Sequence, residues 1–234
     1  MSRDLDTEHI RGIKVRAFFY SLPFRNWWFD LSGNYQDLYS EDGIKTPVDN
    51  IYQSSRSKSL TVQGQYLIKR RYNSKSYLNF GSSIVTNNGY IGGQEISVYK
   101  RRAAYWNIGL KHQQYLSGGE FNLAMEYKQG TNWFGAMPSP TTELKRPQIF
   151  QFSAAINRPW QVSKQIFLYE GKAAIQLSRS QLDRLLEVDS IGGRNSVRGA
   201  VLTHSLAGSH SLLIKNELSW YTPLPGHMLY ATLD

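Results

Sequence analysis

Residues Tyr105–Lys128 read YWNIGLKHQQYLSGGEFNLAMEYK, and their pattern decides the fold. Trp106, Ile108 and Leu110 fall on one parity, and Tyr105, Asn107, Gly109, Lys111 and Gln113 on the other. A period of two marks a β-strand with one apolar and one polar face. Ser117-Gly118-Gly119 follows, a tight-turn composition. Beyond it Phe121, Leu123, Met125 and Tyr127 alternate with Asn122, Ala124, Glu126 and Lys128. The stretch reads as a hairpin of two strands of roughly ten residues each, longer than the five or six usual in soluble sheets.

The same alternation runs outward in both directions. Val15, Ala17 and Phe19 oppose Lys14, Arg16 and Tyr20, and Phe29, Leu31 and Tyr35 oppose Asp30, Ser32 and Asn34. Leu60, Val62, Tyr66 and Ile68 oppose Thr61, Gln63, Gln65 and Lys69; Leu78, Phe80 and Ile84 oppose Tyr77, Asn79 and Ser83. Further on, Phe150, Phe152, Ala154 and Ile156 alternate with Gln151, Ser153 and Asn157. Phe167, Tyr169, Ala173, Ile175 and Leu177 oppose Glu170, Lys172, Gln176 and Ser178. Leu212, Ile214, Leu218 and Trp220 oppose Lys215, Glu217 and Ser219, and Met228–Asp234 opens one more strand. No helix and no domain linker is expected. Short connections at Pro23–Asn26, Asn73–Lys75, Ser117–Glu120, Pro159–Lys164 and Thr222–Gly226 alternate with long ones at Ser40–Ser57, Asn87–Arg101, Thr131–Pro147 and Arg179–His210.

Composition narrows the class. The 234 residues carry a formal net charge of +9, which suits anionic partners such as nucleic acid, lipid headgroups or lipopolysaccharide. With no cysteine there is no disulfide or zinc-thiolate framework, and the five scattered histidines do not pair at metal-ligand spacing. The charged start MSRDLDTEHIRG is not a secretory signal. No apolar run reaches the roughly 18 residues of a helical span. A barrel strand needs only alternate apolar residues, so the mean hydropathy of −0.45 is compatible with a membrane barrel. Short turns on one rim and long loops on the other also suit such a barrel. Trp27, Trp28, Trp133, Trp160, Trp220 and Tyr221, near strand ends, suit an interfacial girdle. A soluble sandwich or lipocalin-like barrel would bury the apolar face as a core; the strand length, glycines and charges of the polar face favour a wet lumen instead.

One basic turn needs its own reading. Ile191–Ala200, IGGRNSVRGA, places Arg194 and Arg198 among three glycines. It lacks the lysine and following helix of a phosphate loop, and it has no aromatics for base stacking. No G-x-S-x-G elbow and no carboxylate pair argues for catalysis. The turn lies within a connection of roughly thirty residues, longer than most structureless loops, and that connection holds Leu185, Leu186, Val188, Ile191, Val197 and Val201.

SIGGRNSVRGA, followed by LAGSHSLLIKNELSWYTPLP, resembles the outer-membrane transporters of two-partner secretion, the haemolysin-activator (ShlB/FhaC/HecB) family. Val197-Arg198-Gly199 matches the V-R-G tip of the family's sixth surface loop, and Gly192 and Gly193 belong to the same motif. Lys215-Asn216-Glu217-Leu218 matches the strand that follows, and FFYSLPFRNWWFDLSG an early hairpin. Ala200 stands where the family usually has an aromatic, which removes a packing group from the loop tip. The resemblance implies an all-β fold, a transmembrane antiparallel β-barrel. Members have sixteen strands behind a signal peptide and two POTRA domains. Counted back from the loop, residues 1–234 correspond to about ten strands, from near the fourth into the thirteenth. The signal peptide, the POTRA domains and the remaining strands are expected to lie outside them.

The resemblance further implies a location in the bacterial outer membrane. It implies export of one partner exoprotein, an adhesin, haemolysin or contact-dependent toxin, without nucleotide, metal, cofactor, nucleic acid or small-molecule substrate. Outer-membrane lipids and lipopolysaccharide are the expected surroundings, with Lys100-Arg101-Arg102 near the outer rim to meet phosphates. In the family the loop arginine reaches an aspartate on the inner wall of the thirteenth strand; Arg198 and Asp234 match that pair. The expected lumen face carries Lys14, Arg16, Lys69, Lys111, Lys128, Lys172 and Lys215 against Asp30, Glu126, Glu170 and Glu217. These charges would either hold a passing chain weakly or pair across strands for stability. A barrel-assembly insertase of the same superfamily and a basic soluble binding module remain the alternatives.

Overall fold

The computed structural model describes residues 10–40, 53–137, 146–180, 182, 189–191, 206–224 and 226–233. Twelve strands follow in chain order: β1 (Ile10–Phe24), β2 (Trp27–Ser40), β3 (Gln53–Arg71), β4 (Ser74–Ile91), β5 (Gln94–Leu116), β6 (Gly119–Thr131), β7 (Gln148–Val162), β8 (Gln165–Ser178), β9 (Asp189–Ile191), β10 (Leu206–Gly208), β11 (Ser211–Tyr221) and β12 (Met228–Leu233). Ten of them form one antiparallel sheet in the order β1-β2-β3-β4-β5-β6-β7-β8-β11-β12, while β9 and β10 pair separately. The one helical turn among the described residues is Trp133–Gly135.

Register allocates the side chains. Residues directly opposite in an antiparallel ladder share a face. One such row crosses nine strands as Phe24, Trp27, Tyr66, Leu78, Leu110, Met125, Phe152, Ile175 and Leu212. Every member is apolar or aromatic. The next row, Leu22-Phe29-Gly64-Phe80-Ile108-Tyr127-Phe150-Leu177, is equally so. Leu110 is 47% exposed, Phe150 51% and Leu212 60%, a contiguous apolar surface that no soluble sheet leaves open to water. The first row starts at the end of β1, beside a short turn, and finishes near the start of β11, beside a long connection. Such stagger is what tilted barrel strands produce.

Two glycines on this face are required by close approach. The Phe80 ring lies over Gly64 and the Phe18 ring over Gly33, where a Cβ would overlap ring carbons. Aromatic girdling follows the short-turn rim: Trp160, Phe167 and Trp220 stack at 5.9 and 6.4 Å, and Trp27 meets Tyr66 at 4.5 Å.

Several expectations are corrected. Asn87–Arg101 is no open loop: β4 and β5 continue to a two-residue turn at Gly92 (φ 57°) and Gly93 (φ 81°). The register jumps from Asn87–Arg101 to Gly89–Ile96, which makes Ser97–Lys100 a bulge. Beyond the apolar band neither face has to be greasy, so alternation fades although pairing persists. Likewise β2 runs to Ser40 and β3 begins at Gln53. On β1 the membrane parity is Phe18, Tyr20, Leu22 and Phe24, while Phe19 registers with Ser32. The side chains of Lys14 and Arg16 fall outside those described. Ile68 is bulged between the Leu67–Tyr77 and Lys69–Ser76 pairs, which turns Lys69 to the apolar face. Trp28 and Tyr221 have polar-face parity and do not join the girdle.

Gly64→Ala should push the added methyl into Phe80 and destabilise the sheet by about 1–3 kcal/mol. A lowered unfolding midpoint in detergent is the expected reading, with Gly93→Ala in the open β4–β5 turn, where an added methyl meets nothing, as the comparison for backbone strain alone.

Candidate functional site

The polar face gathers the charges that the sequence singled out. Lys111, Glu126, Lys128, Glu170, Lys172, Lys215 and Glu217 all lie on it, opposite the apolar rows. They sort by row. One row runs Lys75-Gln113-Asn122-Ala155-Lys172-Lys215. The next, toward the short-turn rim, runs Tyr115-Glu120-Asn157-Glu170-Glu217-Thr232. A basic row therefore lies against an acidic one. Lys172 faces Lys215 and Glu170 faces Glu217 directly, a placement that costs a few tenths to about 1 kcal/mol per like-charged pair. The diagonals, about 7–8 Å apart, join opposite signs and offset it.

Amide side chains knit the face together. Gln65 Nε2 donates to Asn79 Oδ1 at 2.9 Å, and Gln151 Nε2 to Gln176 Oε1 at 2.8 Å. Asn157 Nδ2 donates to Glu170 Oε1 at 3.3 Å, and Ser219 Oγ to Glu217 Oε1 at 3.1 Å. Lys128 Nζ stands 4.0 Å from the centre of the Tyr105 ring, a cation–π geometry. Lys75 donates to the Tyr115 hydroxyl at 3.0 Å. Glu120 accepts from Gln113 Nε2 at 3.1 Å and from Asn122 Nδ2 at 3.0 Å. The sequence had placed Glu120 in a turn; its parity opposite Tyr115 was the signal that it belongs to the acidic row. Among the described residues no three His, Asp or Glu side chains gather as a metal site.

The long connection between β8 and β11 is rooted at this face. Tyr105 and Ile149 have polar-face parity yet are 2% and 1% exposed, and Leu182, just past β8, is 3% exposed. Leu182 N–H donates to Ser209 Oγ at 2.9 Å, and Ser178 N–H to His210 Nδ1 at 3.4 Å, so the two ends of the connection are tied. Within it β9 and β10 pair as Asp189–Gly208, Ser190–Ala207 and Ile191–Leu206, a short ladder that the sequence reading missed. Gly192, Gly193, Val197, Arg198 and Gly199, and Asp234 at the chain end, lie outside the described residues.

A tilted antiparallel wall with one lipid-type face and one hydrogen-bonded, mixed-charge face defines a transmembrane β-barrel, here ten strands of one. The family model of the haemolysin secretion/activation proteins ShlB/FhaC/HecB matches residues 1–234, and the chain belongs to that family of two-partner secretion transporters of the outer membrane. The outer membrane transporter CdiB-2 of Burkholderia pseudomallei (strain 1026b) is 25% identical over 220 residues, 92% of this chain and 37% of that protein. CdiB from Acinetobacter baumannii superposes with a TM-score of 0.81 at 20% identity, covering 94% of this chain and 39% of that one. CdiB from Escherichia coli gives 0.80 at 23%, covering 91% and 39%. The chain thus spans well under half the length of these relatives.

Leu182→Asp should loosen the connection without opening the sheet, because a carboxylate cannot stay in so buried a site unpaired. Limited proteolysis should cut within residues 183–205 several-fold faster, while electrophoretic heat-modifiability of the barrel is kept.

Proposed function

We propose that this barrel wall exports one partner exoprotein, an adhesin, haemolysin or contact-dependent toxin, by letting the unfolded chain pass along the polar face. The observation that carries the reading is the row arrangement on that face. One basic row lies beside one acidic row and the neighbouring rows are mostly amides and small residues, so a polar chain finds hydrogen bonds and charges of both signs without a deep trap. No nucleotide hydrolysis, cofactor or small-molecule substrate enters the cycle. Lys111, Glu126, Lys128, Glu170, Lys172, Lys215 and Glu217 are the lumen lining in this reading, and lipopolysaccharide and other outer-membrane lipids surround the opposite face.

The Val197-Arg198-Gly199 tip is the moving or holding part of the same machine, with Arg198 bound to Asp234. Support comes from the register of β12. Leu229, Ala231 and Leu233 pair with Trp220, Leu218 and Asn216 on the apolar face, the parity that the aspartate's inward placement needs. A guanidinium suits the task because its fork grips a carboxylate with two hydrogen bonds and stays charged. In the protein expressed in its own outer membrane, Arg198→Ala and Asp234→Ala should each lower the exported amount several-fold with the barrel still inserted. The charge swap Arg198→Asp with Asp234→Arg should recover part of it. Export at the normal level by Arg198→Ala would overturn the pair.

A further inference from the structure

The apolar face does not end in water on the long-connection side; it ends in cations and aromatic rings. Its last apolar row is Phe18-Gly33-Leu60-Ile84-Ala104. The next row on the same face is Tyr35-Lys58-Thr86-Arg102, one side-chain step, about 7 Å, further along the strands. Arg56 follows in the row beyond. Lys58 Nζ sits 5.7 Å from the Tyr35 ring centre, and the Arg56 guanidinium 5.3 Å from that of Tyr90. Beside Arg102 lies the helical turn Trp133–Gly135, and Met137 N–H donates to the Arg102 carbonyl at 2.8 Å. Trp133 and Phe134 of that turn are 53% and 65% exposed. Arg146 lines a small groove there with Trp106, Gln129, Thr131 and Trp133.

Among the described residues, the acids Asp37 and Glu95 on this rim are engaged. Asp37 accepts from Arg56 at 3.4 Å, and Glu95 meets Lys100 at 3.3 Å. Among the described residues the surplus on this rim is cationic: Lys58, Arg102 and Arg146, and the buried Nε of Arg102 has no hydrogen-bond partner there. The basic run expected to act as a unit is split by strand parity. Arg101 points to the polar face and is 6% exposed, its Nη1 donating to the Lys100 carbonyl, while Arg102 is turned to the outer face and Lys100, in the bulge, is held by Glu95.

We infer that Lys58, Arg102 and Arg146 form a binding site for the phosphates of lipopolysaccharide, whose acyl chains lie on the apolar rows beneath while Trp133 and Phe134 enter the headgroup layer. The site deepens the lipid contacts of the proposed function and is independent of export. Its chemistry follows from position. A phosphorylated glycolipid has anionic groups at the boundary between its acyl chains and its sugars, and this is where the sheet changes from apolar to cationic. Arginine supplies forked donors to phosphate oxygens and lysine a compact charge. Aromatic rings beside cations are the composition of a membrane interface.

The test needs no cargo. The protein purified from outer membranes in detergent is titrated with bisphosphorylated lipid A, with dephosphorylated lipid A and with phosphatidylglycerol, and bound lipids are counted by native mass spectrometry. Bisphosphorylated lipid A should bind at concentrations at least roughly tenfold lower than either other lipid, about 1.4 kcal/mol of preference. The Lys58→Gln/Arg102→Gln/Arg146→Gln variant should lose that preference, and Lys58→Arg/Arg102→Lys/Arg146→Lys should keep most of it. Equal binding of the two lipid A forms by the unaltered protein would overturn the site. So would an unchanged preference in the neutral variant, or phosphatidylglycerol binding as well as lipid A. Normal export alongside any of these results would leave the transporter reading standing.

Discussion

Everything in this chain depends on the backbone ladder. In hydrocarbon an unpaired N–H or C=O costs several kcal/mol, so a strand that crosses the bilayer must be hydrogen-bonded on both sides. Eight of the ten sheet strands meet that condition within the sheet, and β1 and β12 pair on one side only among the described residues. Each of those edges therefore needs a further partner strand in lipid.

Once the ladder is fixed, parity does the chemical sorting. Side chains directly opposite share a face, so a row is a unit of environment. The apolar rows can hold Phe, Leu and Ile without a packed core because lipid supplies the other half of the contact. Glycine enters where a ring must lie flat on a neighbouring strand, as Phe80 does over Gly64. On the polar face the same sorting sets like charges opposite one another, Lys172 against Lys215 and Glu170 against Glu217. A soluble sheet selected only for stability would exchange one member of each pair. Retaining both rows favours a face organised along its length rather than for local pairing.

The fold was legible because one physical signal, a period of two over long strands, repeats wherever one face is greasy and the other wet. It failed where that contrast is missing. Phe18, Phe19 and Tyr20 are aromatic on both parities, so only β2 tells which of them faces lipid. At Ile68 one bulged residue inverts the face of Lys69, and no composition marks it. Gly92-Gly93 reads as a loop centre, yet both residues have the positive φ that a two-residue hairpin turn demands. Of the site, the charges on β5 to β11 were readable from alternation alone. The rooting of the long connection was not, because Leu182, Ser209 and His210 meet only through a fold that brings the two ends of that connection together. The meaning of the V-R-G turn came from likeness to a family, since its local composition fits several chemistries.

The stagger of the rows bears on the proposed export path. Because strands tilt, a row that leaves β4 at Lys75, beside a short turn, has reached mid-strand by Lys172 and Lys215. Charge bands therefore climb the wall instead of forming level rings. A level ring of one sign would set a single electrostatic barrier or well across the whole lumen. A climbing band spreads each sign over the height of the wall instead of concentrating it at one level. Along β6 the polar parity reads Glu120, Asn122, Ala124, Glu126, Lys128, and along β8 Glu170, Lys172, Ala174, Gln176. Under the export proposed above, an extended polypeptide moving past such strands would exchange one weak partner for the next, and the tilt that barrel closure imposes would level its path.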